Sequence, residues 1–214
     1  FGASDGLVSN VLLIVGLAGA SAPPGVVRAA GVAGLLAGAI SMAAGEYVSV
    51  RAQNDLVARE LEKERRALAD DPEEETEELA QLYVERGMTT TQAKEMAHLV
   101  MQNPEVALEV HAREELGVNP NELASPVLAA AWSFAAFAIG ALVPLIPWVL
   151  SSASAVIWLS VAAGVAGAAA IGATLALVTG HSVFRGILRH VGIAAVAAIT
   201  IHFVGVGLGS FVQL

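Results

Sequence analysis

The acidic residues of this 214-residue chain are confined almost entirely to one stretch in its middle. Eighteen of the twenty aspartates and glutamates lie between Arg51 and Glu122, and none follows Glu122. The flanking regions are long runs of small and aliphatic residues, and hydrophobic residues make up 56% of the chain. Charged residues supply only 14%, against about 25% in soluble domains. The pattern predicts an all-α, lipid-embedded protein with one acidic domain facing water.

The chain has five apolar segments, and all but the first reach the length of about 20 residues that a helix needs to cross a bilayer. They are 6–20, 26–50, 126–150, 153–178 and 187–212. The first is the shortest, and the chain begins at Phe1 rather than at methionine. We therefore expect that helix 1 is clipped at its N-terminal end. A signal peptide is the alternative, because Ala18-Gly19-Ala20 resembles a cleavage site, although no basic residue precedes the apolar run.

Basic residues predict how the helices are oriented in the membrane. Five of them follow the second segment and two lie at the junction of the fourth and fifth: Arg51, Arg59, Lys63, Arg65 and Arg66, then Arg185 and Arg189. The first loop carries only Arg28, and the loop between the third and fourth segments carries no charge. We expect the two basic loops to be cytoplasmic. The predicted domains are 1–50 (helices 1 and 2), 51–123 (a cytoplasmic acidic domain) and 124–214 (helices 3 to 5).

Capping and turn residues divide the acidic stretch into helices. The expected helices run over 51–68, from Asp71 to Gly87, from Thr89 to Met101, and from Asn103 to Gly117. Within the membrane, glycines spaced four apart, at 34 and 38 and at 205 and 209, predict helix contacts. Pro144 and Pro147 are expected to end or kink the third segment.

Composition also limits the kinds of function. The net charge of -9 argues against binding to nucleic acid, whose partners carry basic patches, and favours cations. The absence of cysteine excludes thiolate metal sites. The sequence contains no catalytic triad pattern, phosphate-binding glycine loop or HExxH motif, so we expect no enzyme activity and no cofactor.

Three residues within or beside the apolar segments are candidates for an ion pathway. Asp5 either caps a helix at the membrane surface or binds a cation or proton inside the membrane, where carboxylates usually have a function. Met42 and Glu46 are four apart and share a helix face, so they can coordinate a divalent transition metal. In the alternative interpretation, Met42 is a packing residue and Glu46 faces the lipid headgroups.

In the acidic stretch, Glu75 and Glu78 share a helix face, as do His111 and Glu115. Most of the other acids are expected to be solvated. A metal site needs only about four ligands that converge from different helices.

Several motifs resemble the vacuolar iron transporter family. They are DGLVSN at 5–10, AISMAAGEY at 39–47, the charged helical insert after helix 2, and PLIP at 144–147. The resemblance covers essentially the whole chain and is closer to bacterial than to plant members. It implies a homodimer of five-helix subunits, with a pathway for divalent iron at the dimer interface and protons exchanged in the opposite direction. The Ala- and Gly-rich composition favours a bacterial inner membrane.

The resemblance also assigns pathway residues. Asp5 and Met42 match the aspartate and methionine that line the family's pathway. An acidic residue of the plant members falls at Gly34 here, and Glu46 stands where plant members have glycine. We therefore hypothesise that Glu46 supplies the missing carboxylate.

For the insert, the resemblance implies a metal-binding domain. The matching glutamate ligands are Glu64, Glu75, Glu78 and Glu115. A further family glutamate falls at Ala67, and two methionines fall at His111 and Ala112. Imidazole can replace a thioether as an iron ligand. The neighbouring glutamates that can fill the gaps are Glu60, Glu74 and Glu109.

The expected function is proton-coupled export of cytoplasmic divalent iron, with manganese or zinc as further bound or transported ions. Two alternatives stay open. The chain can be the membrane half of a fusion with a ferritin-like domain, or it can be a non-transporting membrane scaffold whose acidic domain binds a protein partner.

Overall fold

The computed structural model describes residues 1–151 and 155–212, and the regular structure in these ranges is entirely helical. Its eight helices are α1 (Gly2–Gly19), α2 (Pro24–Asp70), α3 (Pro72–Glu85), α4 (Thr90–Met101), α5 (Pro104–Glu114), α6 (Pro126–Leu150), α7 (Val156–Val178) and α8 (Val183–Val212).

Five helices, namely α1, α2, α6, α7 and α8, are long and apolar enough to cross a bilayer. The mean hydropathy of their most apolar 18 residues is between 1.4 and 2.2. The prediction of an all-α polytopic membrane protein with five spanning helices is therefore confirmed. The expected start of the fourth segment at Ala153, and the last two residues of the domain predicted at 124–214, lie outside the described residues.

The chain divides into two compact units. The membrane unit consists of Phe1–Tyr47 and Val127–Leu214, and the insert unit consists of Val48–Pro126. Because α2 continues well past the apolar run predicted at 26–50, it supplies residues to both units, as the sequence predicts. The core of the membrane unit includes Ile14, Val27, Leu35, Phe137, Leu145, Trp148 and Val156, from α1, α2, α6 and α7.

Glycine allows the helices of the membrane unit to touch backbone to backbone. A methyl group on Gly205 of α8 would overlap the Gly16 carbonyl of α1, and one on Gly209 would lie 3.0 Å from the backbone of Ala20. Gly34 of α2 instead faces a side chain of α1, because a methyl group on it would lie 2.8 Å from the Leu13 side chain. Gly38, in turn, contacts a ring of α6, that of Phe137. Both glycine pairs thus lie at helix contacts, as their spacing predicts.

The prolines of α6 do not end the helix, which continues through Pro144 and Pro147 to Leu150. Of the two predicted outcomes, an end or a kink, the structure excludes the end, and the kink stays a prediction. A proline removes only its own N–H from the helix, and a neighbouring helix can satisfy the polar groups that this disturbs. Beside these prolines, the buried hydroxyl of Ser160 on α7 donates a 2.6 Å hydrogen bond to the Pro144 carbonyl, which links α7 to α6.

The insert unit is a small helical domain whose helix starts were predicted correctly. Asp71 accepts a hydrogen bond from the Glu74 N–H, Thr89 forms a capping box with Gln92, and Asn103 caps α5. α3 and α4 pack through four buried residues: Leu79, Ala80, Ala93 and Ala97.

The glycine contacts of α8 give a direct test of this packing. Gly205→Ala is expected to destabilise the protein by about 1–3 kcal/mol, because the added methyl group meets the backbone of α1. Gly207→Ala is the matched control, since a methyl group there meets no atom within 4 Å. It should leave stability unchanged or raise it by up to about 1 kcal/mol. Thermal unfolding in detergent measures the stability of both variants. Equal effects of the two substitutions would contradict the close contact between α8 and α1.

Candidate metal centre

Four side chains that can bind a metal converge in the insert unit. Glu64 lies on α2, Glu75 on α3, His111 on α5 and Glu115 directly after α5. One ligand atom from each side chain can be chosen such that all four lie within 4.8 Å of one another. The four residues therefore form one compact group of three carboxylates and one imidazole.

Local sequence explains how three helices supply these groups. Asp71 separates α2 from α3, and its cap together with Pro72 starts α3 so that Glu75 falls in the first turn. His111 and Glu115 are four apart and therefore lie on one side of the last turn of α5.

His111 is the centre of the cluster. Its side chain is 0% exposed, and its Nδ1 atom lies 2.9 Å from Glu115 Oε1, 3.0 Å from Glu64 Oε1 and 3.6 Å from Glu75 Oε2. One ring nitrogen can donate at most one proton, so it cannot satisfy three carboxylates. Among the described residues, the buried Glu64 Oε1 has no hydrogen-bond partner. A cation at this place would satisfy all four groups at once.

The spacing of the ligand atoms fits a single ion. Metal–ligand bonds to nitrogen and oxygen of about 2.0–2.2 Å place neighbouring ligand atoms roughly 3–4 Å apart. The separations around Nδ1 are within or close to that range. A set of three oxygens and one imidazole nitrogen suits divalent iron, manganese and zinc.

Burial and mutual repulsion raise the pKa values of two of the carboxyl groups. Burial is the largest cause for Glu64, which lies outside the predicted membrane segment 26–50. Repulsion from Glu115 adds to it, and together they raise the Glu64 pKa from 4.5 to about 6 although His111 opposes the shift. Burial likewise raises the pKa of Glu75, and the negative charge of Glu78 adds to the effect. The cluster therefore carries unfavourable negative charge that a divalent cation would neutralise.

Other acidic candidates of the insert are placed outside this group. Glu78 is exposed, and the structure does not bring it into the cluster. The proposed substitutes Glu60 and Glu109 form surface ion pairs with Lys63 and Arg113. Glu74 is also exposed. The assignment of Glu78 as a ligand stays a prediction.

The three pathway candidates lie in the first two helices. Asp5 is exposed in the first turn of α1. Met42 is partly buried, and its sulfur lies 3.4 Å from the position of a methyl group on Gly2, next to α1. Glu46 is partly buried, and no ion pair or hydrogen bond of its side chain occurs in the described part of the chain.

Asn10 is a polar residue of the membrane unit to which the sequence reasoning gave no role. It is 3% exposed, and its amide nitrogen donates a 2.7 Å hydrogen bond to the Ala141 carbonyl. Its oxygen is buried without a partner among the described residues. The available signal was an amide side chain inside an apolar run, and such side chains often join helices in membranes.

Comparison with known proteins gives a consistent result. The model of the VIT family matches residues 1–206. A "Vacuolar iron transporter" of Acanthamoeba castellanii is 44% identical over 68% of this chain and 52% of its own length. "Vacuolar iron transporter 1" of Arabidopsis thaliana is 32% identical over 70% of this chain and 60% of its own length. "Vacuolar iron transporter 2" of Oryza sativa subsp. japonica is 34% identical over 69% of this chain and 60% of its own length. The aligned regions thus span between half and three fifths of these relatives.

The raised pKa of Glu64 has a consequence for stability without metal. The folded state holds the Glu64 proton more tightly than the unfolded state, so ionisation costs stability as pH rises from about 4.5 to about 6. Glu64→Gln should therefore stabilise the chelator-treated protein at pH 7, by about 1 kcal/mol after allowance for solvent screening. The gain should vanish near pH 4.5.

Thermal unfolding of the full chain in detergent with chelator, measured across this pH range, tests the expectation. Glu95→Gln is the control, because Glu95 is exposed on α4 and forms no ion pair among the described residues. A stability gain from Glu64→Gln that does not depend on pH would contradict the raised pKa of Glu64.

Proposed function

This chain belongs to the VIT family, and on that premise we propose that it transports divalent iron across a membrane. Family membership confirms the prediction that it is not an enzyme. The observation that carries the proposal is the group of Glu64, Glu75 and Glu115 around the buried His111, in which the buried Glu64 Oε1 forms no hydrogen bond. Such a group is costly in isolation and becomes favourable around a cation.

The insert would serve to capture the ion. Three carboxylates outnumber one imidazole, so the group attracts a dication, and His111 must give up the proton on Nδ1 to bind it. The donor set by itself admits iron, manganese or zinc. The relatives are named as iron transporters, which favours iron as the cargo and leaves manganese as a second one.

In the membrane unit, Asp5, Met42 and Glu46 would form the pathway. A carboxylate and a thioether provide one hard and one softer ligand for a transition metal. Protonation of a carboxylate removes its charge and one of its acceptor sites, and so weakens its hold on the ion. Exchange of protons for iron at Asp5 or Glu46 would then make the transporter an antiporter.

Direction and location follow from charge. The basic residues after the second segment and at the start of α8 favour a cytoplasmic insert. Iron captured there would leave the cytoplasm. The relatives are named for the vacuole, whereas the Ala- and Gly-rich composition led us to propose a bacterial inner membrane.

A second copy of the chain would complete the pathway. Asp5 lies in a spanning helix and is exposed on a single chain, where lipid would face it at high cost. A homodimer that covers α1 and α2 would remove this cost and enclose the carboxylate.

Metal binding is the first test, because it separates a transporter from a scaffold. In calorimetric titrations of the full chain in detergent, His111→Ala and Glu115→Gln should each lower the affinity for manganese(II) and for anaerobic iron(II) more than about tenfold. Glu95→Ala should bind as the parent does. Unchanged affinity in both ligand variants would refute the site. Binding of calcium alone, or of no metal, would favour the scaffold.

Transport through Asp5 is the second test. In proteoliposomes with a pH gradient, Asp5→Asn should slow iron(II) uptake more than about tenfold, because the amide cannot carry the charge that offsets the ion. Asp5→Glu should retain part of the activity. Asp70→Asn, the same change at an exposed position at the end of α2, serves as the control. Uptake by Asp5→Asn at the parental rate would contradict the mechanism. Iron uptake by the parent protein at a rate that does not depend on the pH gradient would contradict it as well.

A further inference from the structure

The junction of α7 and α8 forms a basic pocket that plays no part in metal capture. Its volume is about 370 Å³, within the range of ligand-binding cavities. The polar residues that line this α7–α8 pocket are Thr179, His181, Ser182, Arg185 and Arg189. Arg185 and Arg189 are four apart, so both guanidinium groups lie on one side of α8.

Backbone contact holds the two helices together beside the pocket. A methyl group on Gly172 of α7 would lie 2.6 Å from the Gly186 carbonyl oxygen of α8, and one on Gly186 would lie 2.5 Å from the Gly172 carbonyl. The His181 ring is also held, because its Nδ1 lies 3.1 Å from the Thr179 hydroxyl. The pocket is therefore built on a close helix pair rather than on a free loop.

The two arginines have no counter-charge of their own. Within residues 1–151 and 155–212, neither forms an ion pair, and the sequence has no acidic residue after Glu122. Two adjacent guanidinium groups without carboxylates are suited to an anion. Their planar, forked geometry matches the oxygens of a phosphate group.

Large apolar side chains are exposed close to these arginines in the sequence. They are Leu177, Val178, Phe184 and Leu188. They belong to helices long and apolar enough to span a membrane, so we expect acyl chains around them, and the pocket lies near the end of both spans. A ligand at this place would meet a basic pocket and hydrocarbon at the same time.

We propose that the α7–α8 pocket binds the phosphate of an anionic phospholipid headgroup. Basic pockets between spanning helices are suited to such headgroups. The proposal does not depend on transport, because none of the pocket residues belongs to the metal centre or to the proposed pathway. It also differs from the general effect of basic loops on orientation, which needs positive charge but no particular geometry.

Native mass spectrometry of the full chain in neutral detergent tests the proposal, with phosphatidylglycerol and phosphatidylcholine of identical acyl chains as probes. The double variant Arg185→Lys/Arg189→Lys keeps both charges and therefore the orientation signal, but loses the forked geometry. Arg28→Lys is the control, because Arg28 is exposed at the start of α2 and does not line the pocket.

Phosphatidylglycerol should bind at least about fivefold more tightly than phosphatidylcholine, and the double variant should lose most of this preference while Arg28→Lys keeps it. Equal binding of the two lipids, an unchanged preference in the double variant, or an equal loss in Arg28→Lys would each overturn the proposal.

Thermal stability provides the second measurement. Phosphatidylglycerol should raise the unfolding temperature and millimolar inorganic phosphate should not. An equal rise with inorganic phosphate would overturn the lipid as the source of the phosphate.

Discussion

Close contact between helix backbones is the interaction on which the membrane unit depends. Lipid tails are as apolar as leucine, so burying hydrocarbon between helices gains little inside a bilayer. Dispersion contacts at short range must replace that gain, and they require residues without bulky side chains. Gly16 with Gly205 joins α1 to α8, and Gly172 with Gly186 joins α7 to α8. Every candidate pathway residue and the α7–α8 pocket lie on helices of this unit.

The insert unit is stabilised by different physics. Its helices begin at side-chain caps and pack through a small core of leucine and alanine, as in a soluble domain. Its candidate metal centre works against that stability, because it gathers three carboxylates around one buried imidazole. Burial and then the charge of Glu115 raise the pKa of Glu64, and a dication at this place would relieve both costs.

The sequence predicted structure correctly where only neighbouring residues interact. Asp71, Thr89 and Asn103 cap the helices that their sequence context predicts, because a cap involves only the next two or three residues. For the prolines of α6 the sequence left an end or a kink open, and only the structure shows that the helix continues to Leu150. Glu60 and Glu109 were plausible substitutes in the sequence, yet the structure turns them toward Lys63 and Arg113.

The sequence by itself determined the five spanning helices, the acidic insert, the family, and the residue types available for binding metal. Apolar length, charge distribution and motif spacing encode these properties directly. Only the tertiary structure decided which of the eighteen clustered acids meet. It selects Glu64, Glu75 and Glu115 around His111 and leaves Glu78 exposed. The physical reason is that a metal centre requires atoms within a few ångströms of one another. Residues as far apart in sequence as Glu64 and His111 reach that distance only through the packing of α2, α3 and α5.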